Sequence, residues 1–152
     1  TYRVVLGYGD RKMVTQLGVS LDPRIHTGAE ALERRLAFRL RLHATLDSLD
    51  IALNQGIALR DSLTAAGRDS SSIAPLTGAI DSLVELAIQS SEGDVSHEPR
   101  LRGHLGFLAG EVDMAYAAPN AAEEAAYQEL AGEAEAGEAR LRDAIAKVSA
   151  SR

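Results

Sequence analysis

Leucine and isoleucine recur at steps of mostly three and four through residues 27–66, and that period belongs to an α-helix. Leu32, Leu36, Leu40, Leu42, Leu46, Leu49, Leu53, Ile57 and Leu63 carry the stripe. Arg34, Arg35, Arg39, Arg41, Asp47, Asp50, Arg60 and Asp61 fall largely between them. At roughly 1.5 Å per residue such a helix reaches about 55–60 Å. Propensity alone does not hold so long a helix together, so it requires apolar partners along its length. The rest of the chain is expected to supply them.

Composition narrows what those partners are. The chain has 152 residues with 45% hydrophobic content, enough for one domain with a core. Aromatic residues make up only 4%, with no Trp, so the core must be Leu, Ile, Val and Ala, which suits helices packed at short range. A net charge of −6 argues against nucleic acid, because phosphate binding wants a basic surface. Zero Cys excludes disulfides, thiolate metal sites and a Cys nucleophile. There is no apolar run of about 18 residues of the kind that spans a bilayer, and no signal-peptide pattern at the start.

In chain order, Tyr2, Arg3, Val4, Val5 and Leu6 form a β-branched and aromatic run that predicts a strand. Gly7, Tyr8, Gly9 and Asp10 supply turn chemistry, and residues 12–19 alternate as a second strand ended by Pro23. Two strands alone are marginal in water. The hairpin therefore packs on the helices or ends a sheet whose remainder lies upstream. A start at Thr1 directly against a strand favours the second, so the chain is expected to be the C-terminal piece of something larger.

Thr27 and Glu30 have the spacing of a capping box and predict the first helix over 27–66. Gly67 and the run from Asp69 to Ser72 break it. A second helix is predicted over 73–89, with Pro75 in its first turn, then a polar loop over 90–98. A third, over 99–117, contains Gly103, Gly106 and Gly110, whose cost of about 1 kcal/mol each would be offset by a close helix crossing. A fourth, over 120–149, opens with an Asn120–Glu123 cap pair. Its stripe runs through Tyr127, Leu130, Ala134, Leu141, Ile145 and Val148, with Gly137 where a larger residue is expected. The predicted fold is mainly α: a hairpin over 1–25 left from a truncated β-sandwich, then an up-down-up-down four-helix bundle over 26–152. That topology makes helices one and four antiparallel neighbours. It gathers Arg34, Arg35, Arg39, Arg41, Arg140, Arg142 and Lys147 at one end and Asp61, Glu123, Glu124, Glu129 and Glu133 at the other.

Several runs are similar to a known arrangement: Thr1 to Leu6, Val19-Ser20-Leu21-Asp22-Pro23-Arg24, Leu46-Asp47 with Leu49, Leu53-Asn54, Leu59-Arg60, and Ala117-Ala118-Pro119-Asn120. The chain resembles, over essentially its whole length, the C-terminal part of bacterial exported sortilin-like (VPS10/BNR-repeat) β-propeller proteins. These are often labelled glycosyl hydrolase or photosystem II stability/assembly factor-like. The resemblance implies that the hairpin closes an immunoglobulin-like sandwich, and that the protein is periplasmic or on the cell surface. The propellers are absent here, so their activity is not carried over.

A search for chemistry leaves little. His97 and His104 are seven apart, with Glu98, Asp94 and His26 as company, so a metal site is conceivable there, although loop and surface histidines are the ordinary reading. A di-iron bundle needs Glu-x-x-His on two helices and inward glutamates, and a c-type haem needs Cys-x-x-Cys-His; both are missing. No Gly-x-Ser-x-Gly elbow occurs, and no carboxylate pair stands out for glycoside hydrolysis. The expectation is a non-enzymatic module with no cofactor that docks on a larger extracytoplasmic, photosynthetic or other, membrane-protein complex. Its partner is expected to be protein, reached by β-augmentation at Tyr2, Val4, Leu6, Met13, Thr15 and Leu17, with Arg34 and Arg35 in support. The alternative is a terminal accessory domain of an exported propeller-type glycoside hydrolase whose active site lies outside this segment.

Overall fold

The computed structural model describes residues 1–88 and 99–150. It is mainly helical, with an N-terminal antiparallel hairpin and four helices. Strands β1 (Tyr2–Tyr8) and β2 (Arg11–Leu17) are followed by α1 (Ala29–Ala65), α2 (Ser70–Ala87), α3 (Leu101–Met114) and α4 (Ala121–Ala150). The end of the second predicted helix at Gln89 and the polar loop over 90–98 lie outside the described residues.

Side chains cap the starts of α2 and α4 but not those of α1 and α3. At α4 the expected cap forms: Asn120 Oδ1 accepts from the N–H of Ala122 (2.8 Å) and Glu123 (3.0 Å), while Glu123 Oε2 accepts from Asn120 N–H (2.7 Å). This reciprocal pairing satisfies the otherwise orphaned donors of the first turn. At α1 the predicted box does not form. Gly28 is the N-cap and makes no side-chain cap bond, and the Thr27 hydroxyl instead donates to the Tyr116 carbonyl beyond α3. Glu30 faces Arg34 one turn on, at 3.6 Å. At α2, Asp69 accepts from Ser71 N–H at 3.2 Å, so the helix begins at Ser70, three residues earlier than predicted. Pro75 consequently sits in the second turn, where its missing N–H deprives the exposed Ser71 carbonyl of a helical donor.

The helix directions correct the predicted topology. Arg41, Thr45, Ser48 and Gly56 on α1 meet Glu124, Tyr127, Glu138 and Leu141 on α4 in that order, so α1 and α4 run parallel. Arg35 and Asp50 on α1 meet Asp113 and Arg102 on α3, an antiparallel pairing. Gly56 meets Ile80 of α2, and a short turn joins α1 to α2, so that pair is antiparallel as well. The 18-residue α2 lies against the second half of α1 and the 14-residue α3 against the first half. The bundle is thus three columns, α1, the α2–α3 pair and α4, with the middle one built of two helices in series. The predicted segregation of charge fails with it, because the basic start of α1 faces the acidic start of α4.

The core runs along these columns. Phe38, Leu42, Leu76, Leu105 and Leu141 are wholly buried, and Ile80, Leu83 and Val112 nearly so. Phe38 holds the inner position of early α1, with its ring edge-on to Tyr127 at 5.5 Å. Leu36 and Leu40 lie on the outer face of α1, more than half exposed, contrary to the predicted stripe. Two glycines mark the close crossings. A Cβ at Gly56 would lie 3.1–3.3 Å from Leu141 and Ile80, and one at Gly137 would lie 2.7 Å from Leu83 and 3.1 Å from Leu86. Gly137 therefore admits α2. Gly106 and Gly110 of α3 face open space and Gly103 meets only Pro99, so the crossing predicted for α3 is absent.

Candidate functional site

The hairpin makes no packing contact with any of the helices. Its register pairs Tyr2 with Leu17, Val4 with Thr15, Leu6 with Met13 and Tyr8 with Arg11. Gly9 takes φ +54°, and no non-glycine residue has positive φ, which fits a two-residue type II′ turn at Gly9-Asp10. Gly7 and Tyr8 belong to β1 rather than to the turn.

Side chains alternate across a strand, so the register sorts them into two faces. Tyr2, Val4, Leu6, Met13, Thr15 and Leu17, the six residues expected to make contacts, share one face. The other carries Arg3, Val5, Lys12, Val14 and Gln16. All are exposed; Leu6 is 65% and Met13 71% accessible. A two-residue loop makes Tyr8 and Arg11 a hydrogen-bonded pair, and alternation then points the main-chain groups of Arg3, Val5 and Gly7 outward on one edge. Lys12, Val14 and Gln16 do the same on the other. Both edges and both faces are open.

At the foot of the hairpin, Asp22 and Arg24 form a close exposed ion pair, with Arg24 N–H also donating to Asp22 Oδ1 at 2.9 Å. The Arg24 guanidinium, then its backbone N–H, hold the Asp22 carboxyl below the usual aspartate range.

The two arginines expected to support docking are used differently. Arg34 is exposed beside Glu30. Arg35 is committed inside the fold: Nε donates to the Val112 carbonyl (2.9 Å) and Nη2 to the Asp113 carbonyl (2.7 Å), and the guanidinium lies 5.3 Å from the Tyr116 ring centroid. A cation at the last carbonyls of a helix satisfies their unpaired oxygens and the dipole. Arg39 adds an ion pair to Asp113 at 2.7 Å. Arg35 is therefore a clasp for the end of α3, not a free docking residue.

His97 and Glu98 lie outside the described residues. His104 is exposed on α3 and His26 is exposed before α1. Among the described residues, no group of three His, Cys, Asp or Glu is placed to hold a metal.

Sequence reasoning missed a groove between the parallel α1 and α4, with a volume of about 350 Å³. Ala44, Ala131 and Ala134 are among its lining residues. At one end Arg41 Nη2 bonds both oxygens of Glu124 (2.7 and 2.8 Å), and its guanidinium lies 5.0 Å from the centroids of Phe38 and Tyr127. Thr45 Oγ1 and Tyr127 Oη share a hydrogen bond of 3.2 Å. At the other end Glu138, only 7% exposed, accepts at Oε2 from Ser48 Oγ (2.8 Å) and Arg142 Nη1 (3.1 Å). The signal lay in the spacing: Glu138 is four after Ala134 and three before Leu141, on the apolar stripe itself.

No protein-family model, no curated protein and no solved structure matches this chain.

Proposed function

We propose that the chain is a non-catalytic interaction module that docks on a larger extracytoplasmic assembly through its hairpin. The observation that carries this reading is a two-stranded sheet with an apolar face, open edges and no packing on its own helices. Such a sheet is marginal alone, and a third strand is the usual remedy. A partner strand on the β1 edge would pair the outward groups of Arg3, Val5 and Gly7. A partner surface over Tyr2, Val4, Leu6, Met13 and Leu17 would gain about 1.5–3 kcal/mol for each large side chain fully buried. The helical bundle keeps its own core apart from this contact.

Extraction of the protein from its native source under mild conditions, followed by sizing, mass spectrometry and limited proteolysis, tests the proposal. Recovery in a large complex with the hairpin protected is expected. Val5→Pro or Val14→Pro removes an outward N–H while sparing the hairpin's own ladder, so one of the two should release the module. Recovery as a free chain with a protease-sensitive hairpin would overturn the reading. Recovery only as part of an intact propeller protein would make the module a terminal domain of that protein.

A further inference from the structure

We propose that the outer face of α3 pairs with the same face of a second copy of this chain, in an antiparallel two-fold crossing. Gly103, Gly106 and Gly110 weaken a helix of only 14 residues, and within the chain nothing approaches Gly106 or Gly110 closely enough to need a glycine there. The two large apolar residues among them are also uncovered, with Phe107 71% and Met114 74% exposed. Leu101, Leu105, Leu108 and Val112 hold the buried side of α3, so the glycine face is not the one that meets the bundle. Gly103, Phe107, Gly110 and Met114 follow at steps of four, three and four, which keeps them on one stripe. Read forwards the stripe is small, large, small, large; read backwards it is large, small, large, small. Its complement is therefore its own reverse. A two-fold axis midway between Leu108 and Ala109 sets each copy's Phe107 over the other's Gly110, and each Met114 over the other's Gly103.

Charge agrees with this register. His104 and Glu111, both exposed and seven residues apart, flank the stripe on one side. Neither has an ion pair or a side-chain hydrogen bond among the described residues. Antiparallel pairing turns like flanks toward each other, so each Glu111 comes within two residues, about 3 Å along the axis, of the other copy's His104. A carboxylate and an imidazole N–H then meet twice across the two-fold. A parallel pairing would set Phe107 against Phe107 and glycine against glycine, leaving voids. Four large side chains, each about seven-tenths exposed, and the backbone they cover would bury on the order of 1,000 Å² in all, the range of weak, reversible contacts.

The test is sedimentation of the purified chain from about 10 µM to about 1 mM, with amide chemical shifts followed over the same range. A monomer–dimer equilibrium is expected, and the Phe107 and Gly110 signals should move with concentration while those of Val5 and Val14 in the hairpin stay fixed. Phe107→Glu, at an exposed site, should keep the fold and weaken the dimer at least about a hundredfold, because two carboxylates would face bare backbone across the axis. Gly110→Ala should raise the Tm of dilute protein, since alanine is the better helix former in an open position. The same variant should weaken the dimer at least about tenfold, because its methyl stands where the second copy's Phe107 must sit. A purely structural role for Gly110 would not give those opposite signs. A monomer at every concentration, concentration-dependent shifts in the hairpin instead of α3, or a dimer that neither variant weakens would overturn the proposal.

Discussion

Replacing Gly137 by alanine should destabilise the bundle, although alanine is the better helix former. In an open helical position the exchange gains about 0.8–1.0 kcal/mol. At Gly137 the new methyl would stand 2.7 Å from Leu83 Cδ1 and 3.1 Å from Leu86 Cδ2. Leu83 is 2% exposed and has no room to retreat, while the half-buried Leu86 can turn. Overpacking of this kind costs about 1–3 kcal/mol, so the net change is a loss of about 1 kcal/mol. For a chain of this size that lowers Tm by about 2–4 °C. Gly132 is the internal control, since it lies on the same helix with nothing within 4 Å of its would-be Cβ. Gly132→Ala should raise stability by nearly the propensity difference, about 1 kcal/mol. Urea denaturation followed by far-UV circular dichroism separates the two by their opposite signs. Equal stabilisation by both variants would mean that α2 does not cross α4 at Gly137, and the packing argued for the middle column would fall.

Three further outcomes follow from the same geometry. Leu141→Asp should unfold the bundle, since an unpaired charge in a wholly buried site costs several kcal/mol, whereas Leu46→Asp, at a half-buried site, should only weaken it; thermal melts rank the two. A double-mutant cycle on Arg41 and Glu124 should give a coupling of about 0.5 kcal/mol that salt diminishes, because the pair is about two-fifths exposed; zero coupling would remove support for the parallel contact. Carbon-detected titration of Asp22 should give a midpoint below that of a reference peptide that contains the same aspartate without Arg24. A carboxyl held low in the folded state contributes only above its unfolded pKa and loses that contribution as pH falls through the folded one. Lying outside the helical bundle, Asp22 should therefore lose its turn pairing in acid while the bundle's melting is unaffected.

Much of the fold was legible because strong periodicity and paired caps are local signals. The number and order of the helices and the Asn120–Glu123 cap follow from them. The α1 stripe was read correctly at Leu42, Leu49, Leu53 and Leu63 but misplaced before them, because Leu36 and Leu40 continue into His43 and Asp47, whereas Phe38 and Leu42 continue into Leu49, Ala52 and Leu53. Tracing the stripe onward would have chosen the second line. Helix direction depends on tertiary packing, but the lengths held a clue: neither α2 nor α3 can cover the 37-residue α1 alone, while the two in series can. That Tyr2, Val4, Leu6, Met13, Thr15 and Leu17 share one face of the hairpin was legible from strand alternation. Arg35 was misread because its carbonyl partners at the end of α3 are 77 and 78 residues away and leave no local trace. Glu138 was passed over because glutamates on a helix are usually solvated, and only its place between Ala134 and Leu141 marked it as buried.

Amide hydrogen exchange at Arg3, Val5, Gly7, Lys12, Val14 and Gln16, compared between the isolated chain and the natively extracted protein, tests the central claim most directly. Outward amides of an unpaired hairpin exchange quickly, and strand addition slows three of them together, on one edge. The account predicts fast exchange at all six in isolation and protection of either the Arg3, Val5 and Gly7 set or the Lys12, Val14 and Gln16 set in the native state. Fast exchange at all six in both preparations would contradict it.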